Sequence, residues 1–191
     1  MKHRNLMADP RFRIPGRLRP IGAERGRASG IDTEHMAASI SQLIDESRVL
    51  LPLASTAKEG VIGEITAFLV RAAGREDLEG TILEGIWERE REISTGIGRG
   101  IAIPHAEIGA DIETTAVIGI APGGVDFDAL DSRPVSIVFL LVVSHGNRQE
   151  RLGILKSLSA LFGDAEVRRA LRKAASEAEV VRIIRESEGS G

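Results

Sequence analysis

The chain has 191 residues, 42% of them hydrophobic, and a formal net charge of −3; this suffices for one domain with its own core and is too little for two of ordinary size. It contains no cysteine, which excludes disulfides, thiolate metal sites and a cysteine nucleophile. No apolar run approaches the roughly 20 residues of a membrane span, and the N-terminus lacks an apolar signal core, so the expectation is a soluble, cytoplasmic protein without membrane insertion.

The charge is unevenly spread. Residues 1–28 hold eight Lys or Arg against two acids, a balance of +6, which leaves residues 29–191 at −9. With three prolines and four glycines in its first 30 residues and no periodicity, residues 1–36 read as a basic, disordered arm preceding a domain at 37–188. Such an arm attracts nucleic acid or an acidic surface electrostatically. Its single aromatic residue, Phe12, leaves it without the stacking residues of a single-strand binder, so nucleic acid is not the expected partner.

In chain order, Ser39–Ile44 reads as a short helix start and Arg48–Leu53 as a short strand. Thr56 and Glu59 have capping-box spacing, and Val61, Ile62, Ile65, Phe68, Leu69 and Ala72 recur at helical spacing up to a stop at Gly74. A second helix is predicted from Leu78 to Arg91. Strands are predicted at Ile101–Ile103, Thr115–Ala121 and Val135–Val143, the last apolar enough to be buried on both faces. Turn residues fill the stretch between them, "APGGVDFDALDSRP". Helices at Gln149–Phe162, Ala165–Ala174 and from Ser176, with Glu179 completing a second capping box, close the chain. The expected fold class is α/β, a mixed central sheet flanked by helices.

The segment "STGIGRGIAIPH" is where chemistry concentrates. Its Gly96-x-Gly98-x-Gly100 spacing has Ile101 where a dinucleotide fingerprint needs its third glycine, and it leads from a helix into a strand, the reverse of that motif. Glycines here let backbone N–H groups approach an anion; they equally serve a helix-to-strand turn that needs positive φ. Pro104 ends the predicted strand, and His105 projects from that end beside the loop. The other histidines, His3, His35 and His145, are scattered and show no ligand spacing, which argues against a metal. A lone histidine at a strand end is more often structural than catalytic.

"REREISTGIGRGIAIPHAEI", residues 89–108, resembles the active-site region of the mannitol/fructose-type enzyme IIA of the bacterial sugar phosphotransferase system, and most of all the nitrogen-regulatory IIA proteins. The likeness continues through "VDFDALDSRPVSIVFLLVV" and "RLGILKSLSALF" and spans roughly residues 39–187. It implies the type-2 enzyme IIA fold and a phosphohistidine carrier, with His105 receiving a phosphoryl group from an HPr-type phosphocarrier and no cofactor involved. Arg89 matches the family arginine near the phosphate, and the loop carrying Thr95, Gly96, Gly98 and Gly100 shapes the pocket. The chemistry suits these side chains: a neutral imidazole is a nucleophile near pH 7, and a guanidinium fork or main-chain N–H groups hold phosphate oxygens. Arg89 by itself, inside the charge run "EREREI", also reads as part of a solvated helix face.

One position departs from the family. Where the family carries a second histidine at the start of the helix after the long strand, this chain has Arg151, a fixed cation with no acceptor. Arg151 either holds the phosphoryl dianion more firmly or occupies the pocket of a domain that is never phosphorylated, and His145, just before the helix, is a candidate to reach the site instead. The resemblance therefore implies a regulatory phosphoryl carrier, with a transporter or kinase as its downstream partner. The alternative is a IIA-like module that binds a partner without being phosphorylated.

Overall fold

The apolar run Val135–Val143 lies in the interior of the sheet, where its composition directs it. The computed structural model describes residues 39–109 and 112–189; the expected basic arm at 1–36 lies outside them. Strand β6 (Val135–Ser144) pairs antiparallel with β5 (Thr115–Val125) on one side. On its other side it pairs in parallel with β3 (Ile101–Ala102) and then β4 (His105–Ile108). β1 (Val49–Leu50) runs parallel to β5, and β2 (Gly96–Gly98) antiparallel to β3, giving the order β1-β5-β6-β3-β2 with β4 beside the far end of β6. The sheet is mixed, and every residue from Val135 to Val143 is buried.

Side chains alternate across the sheet into two apolar layers. Ile101, Ile137, Phe139 and Leu141 face α4 (Arg148–Gly163), α5 (Ala165–Lys173) and α6 (Glu177–Glu188), together with the short α1 (Ile40–Leu43). Ala102, Ala106, Val138 and Leu140 face α2 (Lys58–Ala73) and α3 (Glu79–Glu92). This is the α/β class expected, a mixed sheet with helices on both faces.

The α2 helix buries Val61, Ile62, Ile65, Phe68, Leu69 and Ala72 and stops at Gly74, as its spacing predicts. The capping box expected from Thr56 and Glu59 does not form. Ala57 is drawn into a bridge with Asp126, which moves the N-cap to a residue whose side chain offers no acceptor. The helix entry is fixed instead by Glu64, which accepts the N–H groups of Ala54 and Ser55 at 2.9 and 2.8 Å. The second box forms with a shift of one residue: Ser176 Oγ accepts from Glu179 N–H at 3.3 Å, while the Glu179 carboxylate reaches past the N-cap to accept from Ala175 N–H at 2.9 Å.

Several boundaries differ from expectation. The strand expected at Arg48–Leu53 shrinks to two residues, because Arg48 closes a short 3-10 turn and buries its guanidinium against Thr115, 2.6 Å away. β5 continues past Ala121 to Val125 through an irregularity in its pairing with β6. Beyond Pro104 the chain resumes as β4. Proline interrupts the strand by lacking an N–H, yet its carbonyl accepts from Leu141 N–H at 3.1 Å and so preserves the register on β6. His105 thus opens a strand, opposite Leu141, rather than terminating one.

Candidate phosphoryl-transfer site

β4 pairs with β6 on one side and with no strand on the other among the described residues. Ala106 and Ile108 are buried toward α2 and α3, so His105 and Glu107 emerge together on the opposite face, that of α4. Nδ1 of His105 lies 2.9 Å from the carbonyl of Ile103. A carbonyl only accepts, so Nδ1 carries the proton and Nε2 keeps its lone pair. Burial pushes the imidazole pKa below the ordinary histidine value. The Ile103 carbonyl opposes that shift, the charges of Arg89 and Arg151 add to it, and Glu90 opposes it again. The ring is therefore neutral, and nucleophilic at Nε2, at neutral pH.

The backbone behind His105 is anchored by an anion. Glu90 is buried, in contact with Lys58 Nζ at 2.6 Å. Its carboxylate accepts the Thr95 N–H at 3.0 and 3.1 Å and the Thr95 hydroxyl at 2.6 Å. Burial works against its ionisation, but the bonds from Lys58 and Thr95 outweigh it and hold the carboxyl below the usual carboxylate range. The Thr95 carbonyl in turn accepts from Ile103 N–H at 3.0 Å, and the Ile103 carbonyl orients His105. The "EREREI" run is thus not simply a solvated face: Glu90 turns inward while Arg89, one residue away, turns out.

Arg89 sits in the last turn of α3, where Nη1 donates to the Ile93 carbonyl at 3.0 Å. Arg151 sits in the first turn of α4, its N–H bonded to the Asn147 carbonyl at 3.0 Å. Two guanidinium groups from helices on opposite faces therefore act on one imidazole at the sheet margin. Arg151 Nη1 also contacts Glu107 Oε2 at 3.2 Å. Glu107 Oε1 lies 3.4 Å from His145 Nδ1 and accepts from Gly146 N–H at 3.3 Å. That backbone bond leads the effects, with His145 and Arg151, that lower the Glu107 pKa. His145 thus meets Arg151 through a shared carboxylate. Glu107 carried no signal of its own; the period-two spacing His105-x-Glu107 becomes informative only once β4 is known to be a strand.

The glycine segment is a tight hairpin. Gly98 pairs with Ile101, and Arg99 and Gly100 both have positive φ, +58° and +80°, the geometry of a type I′ turn. Gly96 is required for close approach, since a Cβ there would lie 2.8 Å from Ala129 Cα. The N–H groups of Thr95, Gly96 and Arg99 are committed to Glu90, Ser94 Oγ and Asp131 Oδ2. The loop's evident work is to shape and brace the Ile103–His105 segment, with these three donors already bonded to side chains of the protein.

Residues 42–187 match the family described as phosphoenolpyruvate-dependent sugar phosphotransferase system, EIIA 2. The chain belongs to that family. This EIIA domain is 35% identical over 147 residues to the nitrogen regulatory protein of Pseudomonas aeruginosa, covering 76% of this chain and 94% of that protein. It is 36% identical over 145 residues to the PTS system fructose-specific EIIABC component of Bacillus subtilis, where the match covers 76% of this chain but only 23% of the larger protein. The crystal structure of nitrogen regulatory protein IIA-Ntr from Neisseria meningitidis superposes with a TM-score of 0.71 at 28% identity, covering 77% of this chain and 99% of that one. The mixed sheet between helical layers is thus the architecture of type-2 EIIA domains. No helix among the described residues is long and apolar enough to cross a membrane.

Proposed function

We propose that this EIIA domain is a cytoplasmic phosphoryl carrier in which Nε2 of His105 takes a phosphoryl group from the phosphohistidine of an HPr-type protein. The observation that carries the reading is the Nδ1 bond to the Ile103 carbonyl, which leaves Nε2 free on a ring that feels the positive charge of Arg89 and Arg151. Transfer between two imidazoles needs alignment and cationic charge for the equatorial oxygens, and no cofactor. Arg89 and Arg151 supply that charge. Ile93, Ile97, Leu130 and Leu152 are large apolar side chains left exposed, and Leu152 adjoins Arg151; such groups suit a partner's docking face. The match along 94% of a nitrogen regulatory protein and the TM-score of 0.71 to the IIA-Ntr structure support a regulatory role, acting on a transporter or kinase.

Incubation with a phosphorylated HPr-type protein tests this. The expected result is an acid-labile, base-stable label that His105→Ala abolishes while the circular dichroism spectrum is unchanged. A label that survives His105→Ala sinks the assignment. The Arg151–Glu107 ion pair favours a second reading, a partner-binding module whose cation is already neutralised; absence of label in wild type together with its appearance in Arg151→His would select it.

A further inference from the structure

Arg151 is only half satisfied. Nη1 is on Glu107, but Nε is buried with no hydrogen-bond partner. A buried guanidinium donor without an acceptor is costly, and the planar fork is built to take an anion through two donors. Glu107, by contrast, does not depend on Arg151 alone, since Gly146 N–H and His145 also contact its carboxylate. His105 and Glu107 lie two residues apart on one face of β4, with Arg151 acting electrostatically on both.

We propose that Glu107 is the resting counter-ion of Arg151 and gives it up to the phosphoryl group when His105 is modified, so that this ion pair sets how firmly the site holds a phosphoryl group. The proposal rests on the carrier reading above. In the transfer, the N–P bond of the carrier breaks and its electron pair returns to the carrier imidazole. The lone pair of His105 Nε2 forms the new N–P bond, and the proton stays on His105 Nδ1, donated to the Ile103 carbonyl; the carrier's phosphohistidine, protonated on its other ring nitrogen, departs as a neutral imidazole. The product places a dianion where Arg151 exchanges a single carboxylate for a group of higher charge, with an acceptor for its orphan Nε. Glu107 keeps Gly146 N–H and His145. Glu107 is a positioning residue: it acts through Arg151 and touches no reacting atom.

The test uses the full chain and inorganic phosphate as probe, followed by the nitrogen resonances of Arg151 Nε and His105 Nε2, in wild type, Glu107→Gln, Arg151→Gln and the double variant. Glu107→Gln is expected to bind phosphate roughly three- to fivefold more tightly, the scale of a released, partly exposed ion pair, with the Arg151 Nε resonance moving. In the Arg151→Gln background the same substitution is expected to change nothing. Equal affinity in wild type and Glu107→Gln overturns the proposal. So does a tightening that persists without Arg151, which marks a general charge effect. Glu107→Thr, suited to a strand, repeats the measurement should the glutamine variant fold poorly. The lifetime of the carrier-derived label is the second arm, expected to lengthen by a similar factor in Glu107→Gln. A protein that takes no label yet shows the phosphate effect overturns the carrier reading and leaves the exchange standing. A labelled protein in which Glu107→Gln changes neither quantity overturns the exchange alone.

Discussion

The hydroxyl of Thr95 donates to the carboxylate of Glu90 at 2.6 Å, inside the protein. From that bond the connection runs through the Thr95 carbonyl to Ile103 and from the Ile103 carbonyl to His105. Thr95→Val keeps the shape and removes the hydroxyl, leaving one lone pair of a buried carboxylate uncompensated. It is expected to cost about 1–3 kcal/mol. A urea midpoint lowered at constant slope would register the loss; an unchanged midpoint would mean that the bond carries no net stability.

Lys58 is the cation that makes a buried Glu90 tolerable. Lys58→Met is expected to destabilise by about 3 kcal/mol, because it strands a charge rather than merely removing a contact. Adding Glu90→Gln should recover part of that loss, a coupling visible in a double-mutant cycle. Additive effects of the two changes would show that the pair is not a unit.

The hairpin turn offers a change in the stabilising direction. Arg99 is a non-glycine residue at φ +58°, a conformation that costs an L residue roughly 1–2 kcal/mol. Asparagine tolerates it better and forms the preferred pair with a following glycine. Arg99→Asn is therefore expected to raise the melting temperature slightly, and Gly100→Ala, at φ +80°, to lower it by an amount equivalent to about 1 kcal/mol. The opposite order of melting temperatures would contradict the turn assignment.

His105 should titrate below the ~6.5 of an unperturbed histidine, because burial favours the neutral ring and Arg89 and Arg151 reinforce it. With the folded value depressed, the unfolded chain takes up a proton first as the pH falls. The stability contributed by neutral His105 is thus intact above about pH 6.5 and is lost progressively from there down towards the folded value. A ring titration followed by NMR checks the midpoint, and Arg89→Gln is expected to move it upward. A wild-type midpoint at or above 6.5 would refute the described electrostatics.

Much of this architecture was legible before any coordinates. The unbroken apolar run at Val135–Val143, the helical spacing up to Gly74 and the second capping box all describe local periodicities, and local periodicity survives folding. Positive φ was expected in the glycine segment and occurs at Gly98 and Gly100. His105 and Arg89 stood out through a motif. Glu90 and Glu107 did not, since each owes its role to a partner distant in sequence: Lys58 is 32 residues before Glu90, and Arg151 is 44 residues after Glu107. β4 was missed because four residues containing a glutamate, directly after a proline, carry no strand pattern; only pairing with β6 makes them one. The Thr56 box failed for a related reason, a bridge from Ala57 to the distant Asp126.

The chemistry assigned to His105 is specific to one atom, and the most direct measurement reads that atom. After exposure to a phosphorylated HPr-type protein, phosphorus and nitrogen NMR of isotopically labelled protein should show a phosphoryl group on Nε2 of His105, with Nδ1 still protonated against the Ile103 carbonyl. Phosphorus on Nδ1, on His145, or nowhere in the chain would contradict the account.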